Sequence, residues 1–250
     1  MHRVIINADD FGISHDVNQA ISTCFINGYI NQTTLMVNMP SIDEAVQMAK
    51  EYGFSDKVGL HLNLVEGEPI TEGIRHSILC NEQGVFDSAV LKKVQNRFFL
   101  DRRSSECIRE EIIAQIERFL LLGIGKKHID SHQHSHTSPS VLRILLPIMR
   151  QYKFEDLRLA RNIPKSSIKG SKRVVKYLTN KVISSYNASH GRVGVKMFGS
   201  MMDVENEQNI LDITEMMIHP IMKEQILSEA YSDESIEQWW IEHKNEWELI

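Results

Sequence analysis

Four short runs in this sequence bring together residue types that do chemistry. The first is Asn7-Ala8-Asp9-Asp10-Phe11-Gly12, where two adjacent acids close an apolar stretch. Carboxylates that close repel unless a cation or a proton separates them. A metal ligand beside a general base would use both acids, and so would capping of a following helix. The second run is Gly59-Leu60-His61-Leu62-Asn63-Leu64. On a strand, His61 and Asn63 share the face opposite the leucines; a single histidine there is an ordinary core residue. The third run changes that reading. His128, His132, His134 and His136 are four of the chain's eleven histidines within nine residues, and Asp130 joins them at the same two-residue spacing. On a strand that period puts all five on one face. Burying four imidazoles without a metal or acidic partners is costly. The run therefore points to a divalent metal site, with Asp130 placed to orient a ligand imidazole. The fourth run, Thr214 to Pro220, flanks an apolar strand with Glu215 and ends in His219, a candidate general acid. Arg158 and Arg161 straddle a further short strand. Either could hold a carboxylate in its charged form, bind substrate, or form a surface ion pair. His2, His15, His76, His190 and His243 lack such company and read as surface or incidental residues.

These runs need elements that position them. Short β-rich stretches at 4–7, 32–37, 58–64, 127–132, 157–160, 193–198 and 213–218 alternate with amphipathic ones. Residues 13–27 read as a helix stopped by Gly28. Ser41 to Glu44 reads as a capping box opening a helix to about Tyr52. Residues 104–122 form an amphipathic helix ended by Gly123. Ser138-Pro139 reads as an N-cap with proline at the first helical position. A basic helix is expected at 170–185 and a terminal helix at 235–250, where Trp240 and Trp247 would share a docking face. Residues 66–101 read as a loop-rich excursion with one short helix near 89–98. Alternating strands and helices give a parallel sheet, open or closed into a barrel, and the chemistry then lies at the C-terminal strand ends.

Composition excludes several classes. The 250 residues are 42% hydrophobic and 24% charged, with a net charge of −5. A chain of this length buries roughly three quarters of its unfolded surface. No apolar run approaches the ~18 residues of a membrane helix, and the N-terminal stretch, soon closed by two acids, is not a secretory signal. Three widely spaced cysteines give no disulfide framework or zinc ribbon, so a cytoplasmic protein with reduced thiols is expected. The acidic balance argues against nucleic acid. Residues 157–202 hold ten Lys or Arg and no acid, whereas 203–250 hold thirteen acids and two lysines. The basic block could attract an anionic substrate, or pack against an acidic face.

Together, NADDFG, GLHLNL and HIDSHQHSH resemble the YdjC-like carbohydrate deacetylases, in the family's order and over most of the chain. The resemblance implies a distorted (β/α) TIM-like barrel, here one domain over 1–250 with the 66–101 excursion and a basic helical insertion near 162–190. It implies a divalent metal, Mg2+ or Zn2+, and often a homodimer. The implied activity is hydrolysis of the N-acetyl group of an acetylated mono- or oligosaccharide. Carried over by position, Asp10, His61 and His132 would be metal ligands, Asp9 the base and His219 the acid. Arg158 would be the basic residue near the site. Asn63, His128, Asp130, His134 and Glu215 would support the ligands or the substrate. One oxygen and two nitrogens leave open positions for water and substrate and do not select one metal. Two departures bear on substrate contacts: Ile221 stands where the family has glycine, and no arginine follows Tyr231. The competing readings are a metal-dependent phosphoesterase or amidohydrolase, and a non-catalytic sugar-binding protein on the same scaffold.

Overall fold

The computed structural model describes residues 2–164, 170–190, 194–207, 209–210, 213–232 and 234–250. Its apolar runs form a curled parallel sheet. The strands are β1 (His2–Phe11), β2 (Gln32–Leu35), β3 (Val58–Leu62), β4 (His128–Ser131), β5 (Asp156–Leu157), β6 (Met197–Ser200) and β7 (Ile213–Ile218). They lie in the order β5-β4-β3-β2-β1-β7-β6, every pair parallel. The two ends of this path approach each other through the segment after β5. There the Asn162 N–H donates to the Phe198 carbonyl at 3.1 Å, and the Phe198 N–H to Asn162 Oδ1 at 2.8 Å. The result is a distorted (β/α) barrel ringed by helices. An antiparallel hairpin, β8 (Pro220–Lys223) and β9 (Ile226–Glu229), follows β7.

Alternation along the strands makes two faces. Val4, Ile6 and Ala8 on β1, Leu60 and Leu62 on β3, and Ile129 on β4 join one apolar core with the helices. His15–Ile26 supplies Ala20, Ile21 and Cys24 to it. Arg102–Leu121 supplies Ile108, Ile112, Ile116 and Phe119. The opposite positions are polar and bond to one another. Asn7 Nδ2 donates to Asp9 Oδ1 at 2.7 Å and to Thr34 Oγ1 at 3.1 Å, and Thr34 Oγ1 donates to Asp130 Oδ2 at 3.0 Å. The barrel interior is therefore a polar network, and its members sit toward the strand ends expected to carry the site.

The structure corrects several local expectations. Ser41 does not form a capping box: its side chain makes no cap bond, and Glu44 turns instead to Asn18 (2.8 Å) and His15 (2.6 Å) on the preceding helix. Ser138 likewise leaves its helix uncapped by its side chain, although Pro139 does occupy the first turn. The 66–101 excursion holds three short helices rather than one, Glu72–Arg75, Ser88–Lys92 and Val94–Phe98. The terminal helix covers only Ile236–His243. The chain then forms β10 (Trp247–Leu249), which pairs with the start of β1. Trp247 therefore lies on a strand, against His2, and shares no helix face with Trp240. The expected strand at 193–198 begins at Met197, with Val193 outside the described residues. The basic helix runs Gly170–Ser189, longer than expected. No helix among the described residues is long and apolar enough to cross a membrane.

Candidate active site

Two adjacent acids on a strand should point to opposite faces, yet Asp9 and Asp10 both reach the barrel interior. A bulge explains this. Ala8 pairs with Thr33 and Phe11 with Leu35, so β1 spends three residues where β2 spends two. The extra residue lets the strand bend. Asp10 takes φ 68°, a left-handed conformation that aspartate adopts more readily than most residues. Gly12 completes the turn at φ +92°; a Cβ there would sit 3.2 Å from the Met36 carbonyl oxygen.

Asp10 meets two histidines from other strands. Its Oδ1 lies 3.1 Å from His61 Nε2 and 2.8 Å from His132 Nδ1. The far nitrogen of His61, Nδ1, lies 2.6 Å from Asp130 Oδ1, because β3 and β4 place these residues in register. Burial alone would raise the Asp10 carboxyl; the bonds from His132 and His61 outweigh it and hold the group well below the usual carboxylate range. Burial would likewise discharge His61, but Asp130 and Asp10 push it up to about 10. The surroundings thus favour positive charge at this point. Asp9, Asp10, Asp130 and Glu215 are four buried carboxylates, and the buried Arg158 guanidinium pairs with three of them, Asp9, Asp130 and Glu215. One carboxylate oxygen and two imidazole nitrogens within 4.8 Å of one another form a donor set that fits a divalent ion. A second grouping, Asp9 with His61 and Asp130, is also compact, but its carboxylate oxygens are already engaged by Arg158, Thr34 and His61.

Arg158 is 1% exposed, and not the surface ion pair that its sequence context allowed. It donates to both oxygens of Asp9, at 2.7 and 2.8 Å. It reaches Asp130 Oδ2 at 2.7 Å and gives Nε–H to Glu215 Oε1 at 2.6 Å. Burial raises the Asp9 carboxyl, but the guanidinium charge prevails and keeps it below the ordinary value. Glu215 differs: burial dominates over Arg158 and raises it.

The four histidines of the third run do not share one face. β4 ends at Ser131, and residues 132–137 turn into a short 3-10 segment with Gln133 and His134 at positive φ. His128, one step below Asp130, pairs with Asp156 at 2.7 Å. His132 enters the Asp10 nest. His134 packs edge-on to Phe198, its buried Nδ1 without a partner; burial, then the Arg158 charge, pushes it down to about 3. His136 accepts from Ser131 Oγ at Nδ1 (2.5 Å) and donates from Nε2 to the Arg158 carbonyl (3.0 Å), which fixes the backbone behind the guanidinium. Asn63 lies outside the pocket. Its Oδ1 accepts from the Val65 and Glu66 amides at 3.1 Å each, shaping the turn after β3.

His219 stands at the end of β7 with Glu229 from the hairpin. The His219 N–H donates to Glu229 Oε2 at 2.7 Å, and Nδ1 lies 3.3 Å from Oε1. Burial opposes the charged imidazole, yet the Glu229 bond and the Asp9 and Asp10 charges raise its pKa above the ordinary value. Tyr231, 77% exposed, sets its ring perpendicular to His219 with centroids 4.6 Å apart. Asp9, His61, His132, His134, His219 and Tyr231 line one pocket of about 360 Å3, within the size range of small-molecule sites. Arg161 lines it too, paired with Asp203. Sequence patterns did not single out Thr34, Glu66, Glu229 or Tyr231. Glu66 and Glu229 come from a turn and a hairpin, where no periodicity marks an inward residue.

Comparison with known proteins agrees with this architecture. The chain matches the family described as YdjC-like protein over residues 3–250. It is 43% identical over 152 residues to a carbohydrate deacetylase of Vibrio cholerae serotype O1, covering 60% of this chain and 56% of that protein. The match thus spans little more than half the length of that relative. A carbohydrate deacetylase of Clostridium beijerinckii is 33% identical over 222 residues, covering 87% of this chain and 81% of its own length. A crystal structure from Enterococcus faecalis V583, described as a candidate cellobiose-phosphate cleavage protein, superposes with a TM-score of 0.69. At 22% identity, covering 89% of this chain and 82% of that one, it shows a shared fold. With its barrel, its motifs and this near-complete match, the chain belongs to the YdjC-like family.

Proposed function

We propose that this protein is a carbohydrate deacetylase that hydrolyses the N-acetyl group of an acetylated amino sugar, with Mg2+ or Zn2+ held by Asp10, His61 and His132. One observation carries the reading: Asp9, His61, His132 and His219 open onto the same pocket. A cation nest, an ionised carboxylate and a carboxylate-paired imidazole would therefore face a molecule held in that pocket. The relatives described as carbohydrate deacetylases support the reaction class.

A divalent ion would supply Lewis acidity toward an amide carbonyl and can bring the pKa of water from ~15.7 to about 7. The rest is work for the chain's own side chains. Arg158 holds Asp9 ionised and fixed in direction. Asp9 Oδ1 already accepts from both Asn7 and Arg158, whereas Oδ2 accepts from Arg158 and keeps a further lone pair, so Asp9 is assigned to take the proton of the attacking water through Oδ2. His219 is assigned to give a proton to the departing nitrogen, which is a poor leaving group without one. The acyl C–N bond breaks; acetate and a free amino sugar leave. His134, which lines the same pocket, is assigned to contact the substrate. Three free cysteines support a cytoplasmic setting. The exposed stripe Val174, Leu178 and Val182 on the basic helix supports a homodimer.

The test is acetate release from a panel of N-acetylated sugars by metal-loaded protein, beside Asp9→Asn and a chelated sample. Release abolished in both controls is expected. Phosphate release from phosphorylated sugars without acetate would overturn the reading, as would tight sugar binding without turnover.

A further inference from the structure

The inference concerns Glu66 and rests on the reading that Asp10, His61 and His132 hold the metal. His132 has a carboxylate on each ring nitrogen. Nδ1 faces Asp10 Oδ1 at 2.8 Å, and Nε2 faces Glu66 Oε2, also at 2.8 Å. Glu66 therefore lies on the far side of the ring from the nest and is not among the compact donor group. We propose that Glu66 is a positioning residue of this centre. It accepts the Nε2–H of His132 and so leaves the Nδ1 lone pair aimed at the position shared with Asp10 and His61.

Two independent features support this. The first is a parallel with His61, whose far nitrogen is held by Asp130 at 2.6 Å. Ligand imidazoles commonly give their second N–H to a carboxylate, which fixes tautomer and ring direction. Both histidines of the nest would then follow one rule, with one orienting acid from a neighbouring strand and one from a turn. The second is how the turn is made. Glu66 is half-exposed, yet its backbone is gripped from within. Asn63 accepts its amide at 3.1 Å and donates to its carbonyl at 2.7 Å. Gln115, on the helix Arg102–Leu121, clamps Asn63 itself, accepting from its N–H at 3.0 Å and donating to its carbonyl at 2.6 Å. A solvent-facing carboxylate needs no such mounting to remain soluble. A carboxylate that must meet one ring nitrogen does.

The test is Zn2+ titration calorimetry of wild type, Glu66→Gln and Glu66→Ala, with 15N NMR of the His132 imidazole in the Zn2+-loaded proteins. Loss of such an orienting carboxylate typically weakens metal affinity 10- to 100-fold. Glu66→Ala should fall in that range. Glu66→Gln, which keeps an acceptor oxygen, should lose less. The Nε2–H signal of His132 should move from a carboxylate-bonded to a solvent-exposed position in Glu66→Ala. A role confined to the turn would not move that signal. Unchanged affinity and an unchanged His132 signal in Glu66→Ala would overturn the inference while leaving the metal reading intact. Wild type that takes up no Zn2+ would overturn the metal reading, and this inference with it.

Discussion

Arg158 grips Asp9 with two parallel bonds, at 2.7 and 2.8 Å, while its Nε–H holds Glu215 and Nη1 also reaches Asp130. One guanidinium thus joins residues from β1, β4 and β7 at the centre of the barrel. Such a fork fixes direction as well as charge, which a lysine point charge cannot do.

Removing that cation should be severe. Arg158→Met would leave Asp9, Asp130 and Glu215 buried and uncompensated, a class of change that costs about 3–5 kcal/mol. The expected result is a large drop in the urea midpoint, and no acetate release. Arg158→Lys should recover part of the stability and little of the activity, since it cannot reproduce the two-point grip on Asp9. Equilibrium unfolding and acetate assays on both variants check this.

Glu229 should set the alkaline edge of activity. It raises the His219 pKa above the ordinary 6.5 through its hydrogen bond and charge, against burial. A general acid works only while protonated, so the rate falls as pH rises through that pKa. Glu229→Gln removes its charge and leaves only the Asp9 and Asp10 charges to oppose burial, which lowers the His219 pKa and moves the alkaline limb to lower pH. The loss in kcat/KM should therefore be larger at pH 8 than at pH 6. A limb unmoved by Glu229→Gln would take His219 out of the acid role.

What the sequence made legible follows from period and register. His61 and Asp130 could be read as inward because each alternates with apolar neighbours on a buried strand, and the structure sets them side by side. Asp9 and Asp10 could be suspected but not placed, because their shared direction depends on the bulge. The histidine run misled beyond Ser131: a two-residue period holds only while the backbone is extended, and Gln133 and His134 turn left-handed. Arg158 looked as fit for the surface as for the interior. Its burial depends on carboxylates contributed by three distant strands, which no local pattern displays.

Acid should unfold the protein partly through His136. Burial, outweighing Asp130 and the bond to the Arg158 carbonyl, pushes His136 down to about 4, so it is neutral in the fold. The unfolded imidazole takes up a proton below about 6.5. Between pH 6.5 and 4 the unfolded state therefore binds more protons, and stability falls as pH falls. His134, pushed down to about 3, adds in the same sense. Urea unfolding at pH 7, 6, 5 and 4 should show a progressive loss of a few kcal/mol. His136→Gln, which keeps a donor for the Arg158 carbonyl, should start less stable at pH 7 and show a shallower slope.

Glu111 should matter although it lies outside the pocket. It is fully buried on the helix Arg102–Leu121, and it accepts from the Ile70 amide at 3.0 Å, the Thr71 amide at 2.8 Å and the Thr71 hydroxyl at 2.7 Å. It also accepts from Gln115 at 2.9 Å, and Gln115 in turn holds Asn63, so one helix face secures both ends of the turn that carries Glu66. A buried donor left without its acceptor costs about 1–3 kcal/mol. Glu111→Ala strands several at once, but Ile70 and Thr71 are only partly buried, and water can replace part of the loss. The expected global loss is therefore about 1–3 kcal/mol rather than a multiple of it. The local effect should be larger. Amide exchange at Val65, Glu66, Ile70 and Thr71 should speed up, while exchange in β1 and β7 should follow only the global change. Glu111→Gln keeps one acceptor oxygen and should restore protection at one end of the turn before the other. Equal acceleration across the whole barrel would instead show that Glu111 supports the core as a unit and not this turn.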